Sequence, residues 1–190
     1  TSAVISDMSQ PLCPSLGNGL EVAEALRVLT GQVKDSPLAL LSAALGGVAL
    51  SQAGLAEGVE AGANDVLAAI ADGRAAEHFS RMVAAMGGPV HFVDNFSRFL
   101  PEANVIREFT GLAVIALRGG RQVESDVIDP SVGLADILPL GMRVEAGQPL
   151  LRIHAIRSEH ADRAAHILQS ALSIYDVAPE VSSLVHESLG

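Results

Sequence analysis

In the first half of the chain apolar residues recur at helical spacing, whereas in the second half they run together or alternate. Ala3 to Ser6 predicts a short buried strand. The stretch 7–17 carries Pro11 and Pro14, which supply no ladder donors, and predicts a loop. Val22, Ala25, Leu26 and Leu29 share one face of a predicted helix that Gly31 stops. Asn18 is expected as its N-cap, with Glu21 three residues later in the capping-box position. Ser36-Pro37 pairs an N-cap with proline at the first helical position. It opens an almost wholly apolar segment to about Ala53, expected as a core helix buried on most sides. Helices are also expected over 64–71 and 74–86, separated by Gly73 and closed by Gly87-Gly88-Pro89.

Aromatic residues cluster between Phe92 and Pro101, where a linker to a second unit is expected. Beyond it, Leu112 to Leu117 is a continuous apolar run and Leu150 to His154 alternates apolar with polar. Turns are expected at Gly119-Gly120, Asp129-Pro130 and Gly141. A helix from Ser158 is expected to present Ala161, Ala165, Leu168, Leu172 and Tyr175 to the core, with Pro179 beyond its end. The fold class this predicts is α/β for residues 1–100, with an α+β unit over 101–190.

Composition narrows the picture. With 49% hydrophobic residues in 190, no Trp and 3% aromatics, the core must be built from Ala, Leu, Val and Ile. A formal charge of −10 argues against a nucleic-acid partner, whose phosphates call for a clustered basic face. Arg118 and Arg121 flank Gly119-Gly120, a pair that could hold an anion or simply edge a solvated turn. Cys13 has no cysteine to pair with, so a reducing, cytoplasmic setting and a packing role are expected. The apolar run around Leu38 to Leu50 is broken by Ser42 and Gly46-Gly47 and is shorter than a membrane span. With no signal-peptide pattern at the start, a soluble protein without a membrane partner is expected.

Candidate chemistry is sparse. The turn Gly141-Met-Arg-Val-Glu-Ala-Gly-Gln-Pro-Leu150 has the form found in swinging-arm carrier barrels. Such a carrier needs a displayed lysine, and Lys34, in the other half, is the sole lysine. Glu21 and Glu24 lie one helical turn apart beside a loop rich in carbonyls. That suits either a hard cation or two solvated charges. The six histidines, at 78, 91, 154, 160, 166 and 186, are dispersed, and His154 reads as a structural residue more readily than as a general base. Asp126 and Asp129 read as a strand edge and turn, and no glycine-rich phosphate loop is visible. No catalytic residue can be named, nor any substrate-binding one.

Four ordered segments carry a resemblance to a known family. They are Ser6-Asp-Met-Ser-Gln-Pro-Leu12 with Gly17-Asn-Gly-Leu-Glu-Val-Ala-Glu-Ala25, then Asp72-Gly-Arg-Ala-Ala-Glu-His-Phe-Ser-Arg-Met-Val-Ala-Ala85, Gly119-Gly-Arg-Gln-Val-Glu-Ser-Asp-Val-Ile-Asp-Pro-Ser-Val-Gly133 and Leu140-Gly-Met-Arg-Val-Glu-Ala-Gly-Gln-Pro-Leu150. In this order they resemble the thymidine and pyrimidine-nucleoside phosphorylases. The chain starts at Thr1 within an expected strand, so the resemblance implies a carboxy-terminal portion: the second half of a mixed α/β domain, then an appended α+β unit.

The resemblance further implies a pentosyltransferase. Orthophosphate is its co-substrate, a pyrimidine nucleoside such as thymidine its substrate, and no organic cofactor takes part. Catalytic residues are expected in an upstream part that accompanies this one, and the intact enzyme is expected to be a homodimer. It also implies a site for a monovalent or divalent cation, carried over to Leu12, Ser15 and Glu24. Between Pro101 and Gly111 the chain departs from the family, either through a trimmed sheet or through a missing piece. The rival reading is a non-enzymatic binding or carrier-like module that reuses the scaffold.

Overall fold

In the computed structural model, residues 1–109 and 129–189 are described. The expected strand at Leu112 to Leu117, the Gly119-Gly120 turn with Arg118 and Arg121, and Asp126 lie outside the described residues. The element order is β1 (Ala3–Ser6), α1 (Asn18–Leu29), α2 (Pro37–Gln52), α3 (Val59–Ala71), α4 (Arg74–Ala85), a 3-10 turn (Phe96–Arg98), β2 (Val105–Phe109), β3 (Gly133–Ala135), β4 (Leu151–Ala155), α5 (Ser158–Ala171) and β5 (Val185–Leu189). Helix and sheet are mixed, as the α/β reading requires. Two compact units divide the chain: the first takes Thr1–Cys13, Ala25–Phe99 and Ser182–Gly190, the second Pro14–Glu24 and Leu100–Val181.

The first unit is mainly helical. The hydroxyl of Ser36 accepts a 3.2 Å bond from the Ala39 amide at the start of α2, and Pro37 fills the first turn, as the sequence predicts. The burial of α2 differs from expectation. Only the stripe Ala39, Ala43 and Gly47 is buried, against α3, while Leu40 and Leu45 remain 44% and 49% exposed. The helix is apolar all round, but α3 covers one side of it. Helix α3 begins at Val59 rather than at residue 64. Gly62 weakens the helical signal there, yet this glycine is what lets the two helices touch. A Cβ at Gly62 would lie 2.9 Å from the Gly47 carbonyl oxygen, and one at Gly47 would lie 2.3 Å from that of Val59.

Helix α4 follows Gly73, whose φ of +86° is left-handed, and the aromatic stretch after it folds into turns in which the Phe92 and Phe99 rings tilt against each other at 5.9 Å. Strand β1 pairs antiparallel with β5, Ala3 opposite Leu189 and Ile5 opposite Glu187. The expectation that β1 is buried is corrected: among the described residues β1 pairs with β5 alone, and its residues alternate exposed and half-buried.

The second unit is a three-stranded antiparallel sheet in the order β2-β4-β3, with α5 packed on β4 and β2. Strand β4 shows the predicted alternation: Leu151, Ile153 and Ala155 are buried and Arg152 is exposed. Their inner face meets Ala161, Ala164 and Leu168 of α5, and Phe109 and Leu134 complete the core. Each fully buried Leu or Ile in such a core contributes about 1.5–3 kcal/mol. The α5 stripe is thus 161, 164 and 168, and the helix ends at Ala171 because Leu172 turns extended, with φ −101° and ψ 147°. Tyr175 lies beyond the helix, 75% exposed, rather than on its apolar face. Strands β2, β3 and β5 are found where the periodicity predicts no element.

Candidate functional site

Two of the candidate residues, Ser15 and Glu24, lie where the loop before α1 meets β3, within the second unit. Leu16 and Leu134 exchange two backbone bonds of 2.9 and 2.7 Å, and the Gly19 amide donates to the Pro130 carbonyl at 2.9 Å. This crossing is tight. Gly17 has φ +138°, and a Cβ on it would stand 2.4 Å from the Val132 carbonyl oxygen; on Gly133, at φ +158°, it would stand 2.0 Å from that of Leu16. Asp129 holds the far side: its Oδ1 accepts from the Ser131 amide at 2.8 Å and from the Ser131 hydroxyl at 2.6 Å. Those bonds, the hydroxyl's first, hold its carboxyl below the ordinary range.

Helix α1 starts at Asn18 itself, so its cap lies one residue before the expected one. The Glu21 amide donates to the Gly17 carbonyl at 2.8 Å, and the Glu21 carboxylate accepts from the Gly17 amide at 2.9 Å. Gly17, not Asn18, is therefore the capping residue, because the crossing with β3 fixes its backbone outside the helix. Glu21 and Glu24, alike in sequence, have different tasks. Glu21 closes the helix end, and Glu24 is buried, 8% exposed, where its Oε1 accepts a 3.1 Å bond from the Ser15 hydroxyl. Ser15 is itself 2% exposed. The structure thus brings together two of the three residues named for a cation. Leu12, half-buried, belongs to the first unit. Among the described residues no group of three or more His, Cys, Asp or Glu side chains is placed to hold a metal ion.

The remaining candidates resolve into local pairings. Arg152 reaches Asp136 at 2.7 Å, beside a shallow depression of about 260 Å3 lined by Glu108, Leu138, Gln148 and Pro149. Asp136 stands in left-handed backbone at φ +53°, a conformation that acidic and amide side chains tolerate better than most. His154, on the outer face of β4 opposite Ile106 and Gly133, is half-buried. Burial, then the Arg152 charge, lowers its pKa against a smaller opposing effect of Asp136, which favours the neutral ring. On α4, Arg81 donates to His78 Nδ1 at 3.0 Å and stands 3.9 Å from Glu77, while Arg74 pairs with Asp72 at 2.8 Å. These are exposed ion pairs. In the carrier-like turn the Gln148 side chain accepts from the Glu145 amide at 3.0 Å, and Lys34 lies in the other unit. Cys13 is a half-buried thiol.

Comparison with known proteins places this arrangement in a class. Residues 105–175, which carry β2, β3, β4 and α5, match the family described as the pyrimidine nucleoside phosphorylase C-terminal domain. Over 204 aligned residues, taking in 100% of this chain and 47% of the relative, the chain is 39% identical to thymidine phosphorylase of Agrobacterium fabrum (strain C58 / ATCC 33970). The chain is thus similar to a thymidine phosphorylase along its whole length, and it spans about half the length of the curated relative it matches. No helix among the described residues is long and apolar enough to cross a membrane.

Proposed function

We propose that this chain is the carboxy-terminal part of a thymidine or pyrimidine-nucleoside phosphorylase, a pentosyltransferase. The intact enzyme converts thymidine and orthophosphate reversibly to thymine and 2-deoxyribose 1-phosphate. The observation that carries the reading is that the relation to thymidine phosphorylase extends over the whole chain, helical unit and α+β unit alike. The reaction needs donors that hold a phosphate on one side of a developing oxocarbenium centre, and donors to the pyrimidine carbonyls on the other. In our reading those groups lie in the upstream part, and the present chain supplies scaffold. Alone it is inactive. The intact enzyme is a cytoplasmic homodimer that uses no organic cofactor.

A cation held by the loop before α1 completes the proposal. Glu24 supplies a carboxylate and Ser15 an adjacent oxygen, both withdrawn from bulk water. The test has two parts. Phosphate-dependent thymine release is measured with the 190-residue chain and with the full-length protein that contains it, in buffers of graded K+ and Mg2+. The proposal expects turnover in the full-length protein only, and a Glu24→Gln variant that loses any cation dependence. Turnover by the chain alone contradicts the assignment of catalysis to the upstream part.

A further inference from the structure

Of the four asparagines in the chain, at 18, 64, 95 and 104, Asn18 alone precedes a glycine; Asp65, Phe96 and Val105 follow the others. An asparagine side chain is open to attack by the amide nitrogen of the next residue, and a glycine there leaves the approach unhindered. The attack has two conformational demands. The Gly19 nitrogen must reach Cγ of Asn18, which takes ψ of Asn18 out of the helical range, and the Gly19 amide must give up its proton. The crossing with β3 opposes both. Asn18 and Gly19 form the first turn of α1, and Gly19 is buried. Its amide, one of the donors that a helix start leaves unmatched, bonds the Pro130 carbonyl at 2.9 Å. Pro130 is held in turn, because the Asp129 carboxylate takes both the amide and the hydroxyl of Ser131. On the other side the Glu21 carboxylate fixes the Gly17 amide, and Leu16 bridges to Leu134.

We infer that Asn18 with Gly19 is a latent deamidation site, held off by the crossing of the loop before α1 with β3. When the crossing opens, a bond forms between the Gly19 nitrogen and Asn18 Cγ while the bond from Cγ to Nδ2 breaks. The Gly19 amide proton leaves with the side-chain nitrogen as ammonia. Water then opens the cyclic imide at one of its two carbonyls. Opening at Cγ returns the normal main chain with aspartate in place of Asn18; opening at the main-chain carbonyl gives isoaspartate, whose main chain is one methylene longer. Water is the sole co-reactant. The isoaspartate form cannot resume the crossing, since even a Cβ on Gly19 would stand 2.6 Å from the Pro130 carbonyl oxygen. A transient opening is thereby made permanent.

The chemistry is independent of the proposed enzyme activity. It is followed by peptide mapping of the full-length protein that contains this chain, aged at mildly alkaline pH in native buffer and in guanidinium chloride. In the denaturant Asn18 should be the first of the four asparagines to convert, with isoaspartate as a product. In native buffer its conversion should be at least about tenfold slower than in the denaturant, the protection that a closed crossing confers. Asp129→Ala, which releases the Pro130 turn, should raise the native rate at Asn18 and leave its rate in the denaturant unchanged. Asp72-Gly73 can yield isoaspartate too, but without loss of ammonia, so the peptide masses tell the two apart. Equal rates at Asn18 in the two conditions, conversion of another of these asparagines first in the denaturant, or a native rate that a folded Asp129→Ala variant leaves unchanged overturns the inference. Should that variant not fold, the ratio of the two rates in the unmodified protein decides alone.

Discussion

At Gly17 and Gly133 two backbones cross with no room for a methyl group, and both residues sit at positive φ. Replacing either by alanine adds backbone strain to a contact that neither neighbour can relax, since the obstructing atoms are backbone carbonyls. Gly17→Ala and Gly133→Ala should each cost about 2–4 kcal/mol, read as a lower midpoint in urea. The two glycines were legible as loop residues, but their pairing was not: it depends on a bridge between Leu16 and Leu134, far apart in sequence. The same holds for Ser15, whose burial against Glu24 no local pattern announces. His154 gives a pH prediction. Its pKa is lowered from the ordinary 6.5, so the unfolded chain takes up a proton first as pH falls. Stability from the neutral ring is present above pH 6.5 and is lost as pH falls toward the lower folded value. The drop in Tm between pH 7.5 and 5.5 should therefore be smaller in His154→Gln than in the unmodified chain.

Among the elements, α2 and α3 show how far local pattern reaches. Ser36, Pro37 and the apolar run define α2 almost to the residue, because capping and proline at the first turn are local devices. The start of α3 at Val59 was hidden, since Gly62 lowers helix propensity and only the tertiary contact with Gly47 explains its presence. Gly47→Ala should cost about 1–3 kcal/mol by forcing the helices apart, whereas the same change at a solvent-facing helical position would stabilise. Strands β2, β3 and β5 escaped for a related reason. They have 5, 3 and 5 residues, and their partners are distant, so their existence rests on pairing with β4 and β1 rather than on alternation alone. The α5 stripe was read correctly at Ala161 and Leu168 and wrongly at Tyr175, because nothing in the spacing says where the helix stops. Leu168→Ala should destabilise the second unit by about 2–5 kcal/mol, leaving a cavity in a core of few large side chains.

At the scale of the whole molecule, similarity to a thymidine phosphorylase along the whole chain supplies the chemical context. Motif order made that relation legible where composition could not, since fold and charge are shared by many functions. The chain also carries uncovered apolar side chains: Leu40 and Leu45 on α2, with Leu55 at 72% exposure and Met86 at 79%. Studied alone it should associate as concentration rises, seen by light scattering, while remaining a monodisperse, cooperatively melting monomer would contradict that expectation. The most direct test of the central claim is phosphate-dependent release of thymine from thymidine by the full-length protein and by this 190-residue chain. The account predicts turnover in the first and none in the second; no turnover in the full-length protein, or turnover by the chain alone, would contradict it.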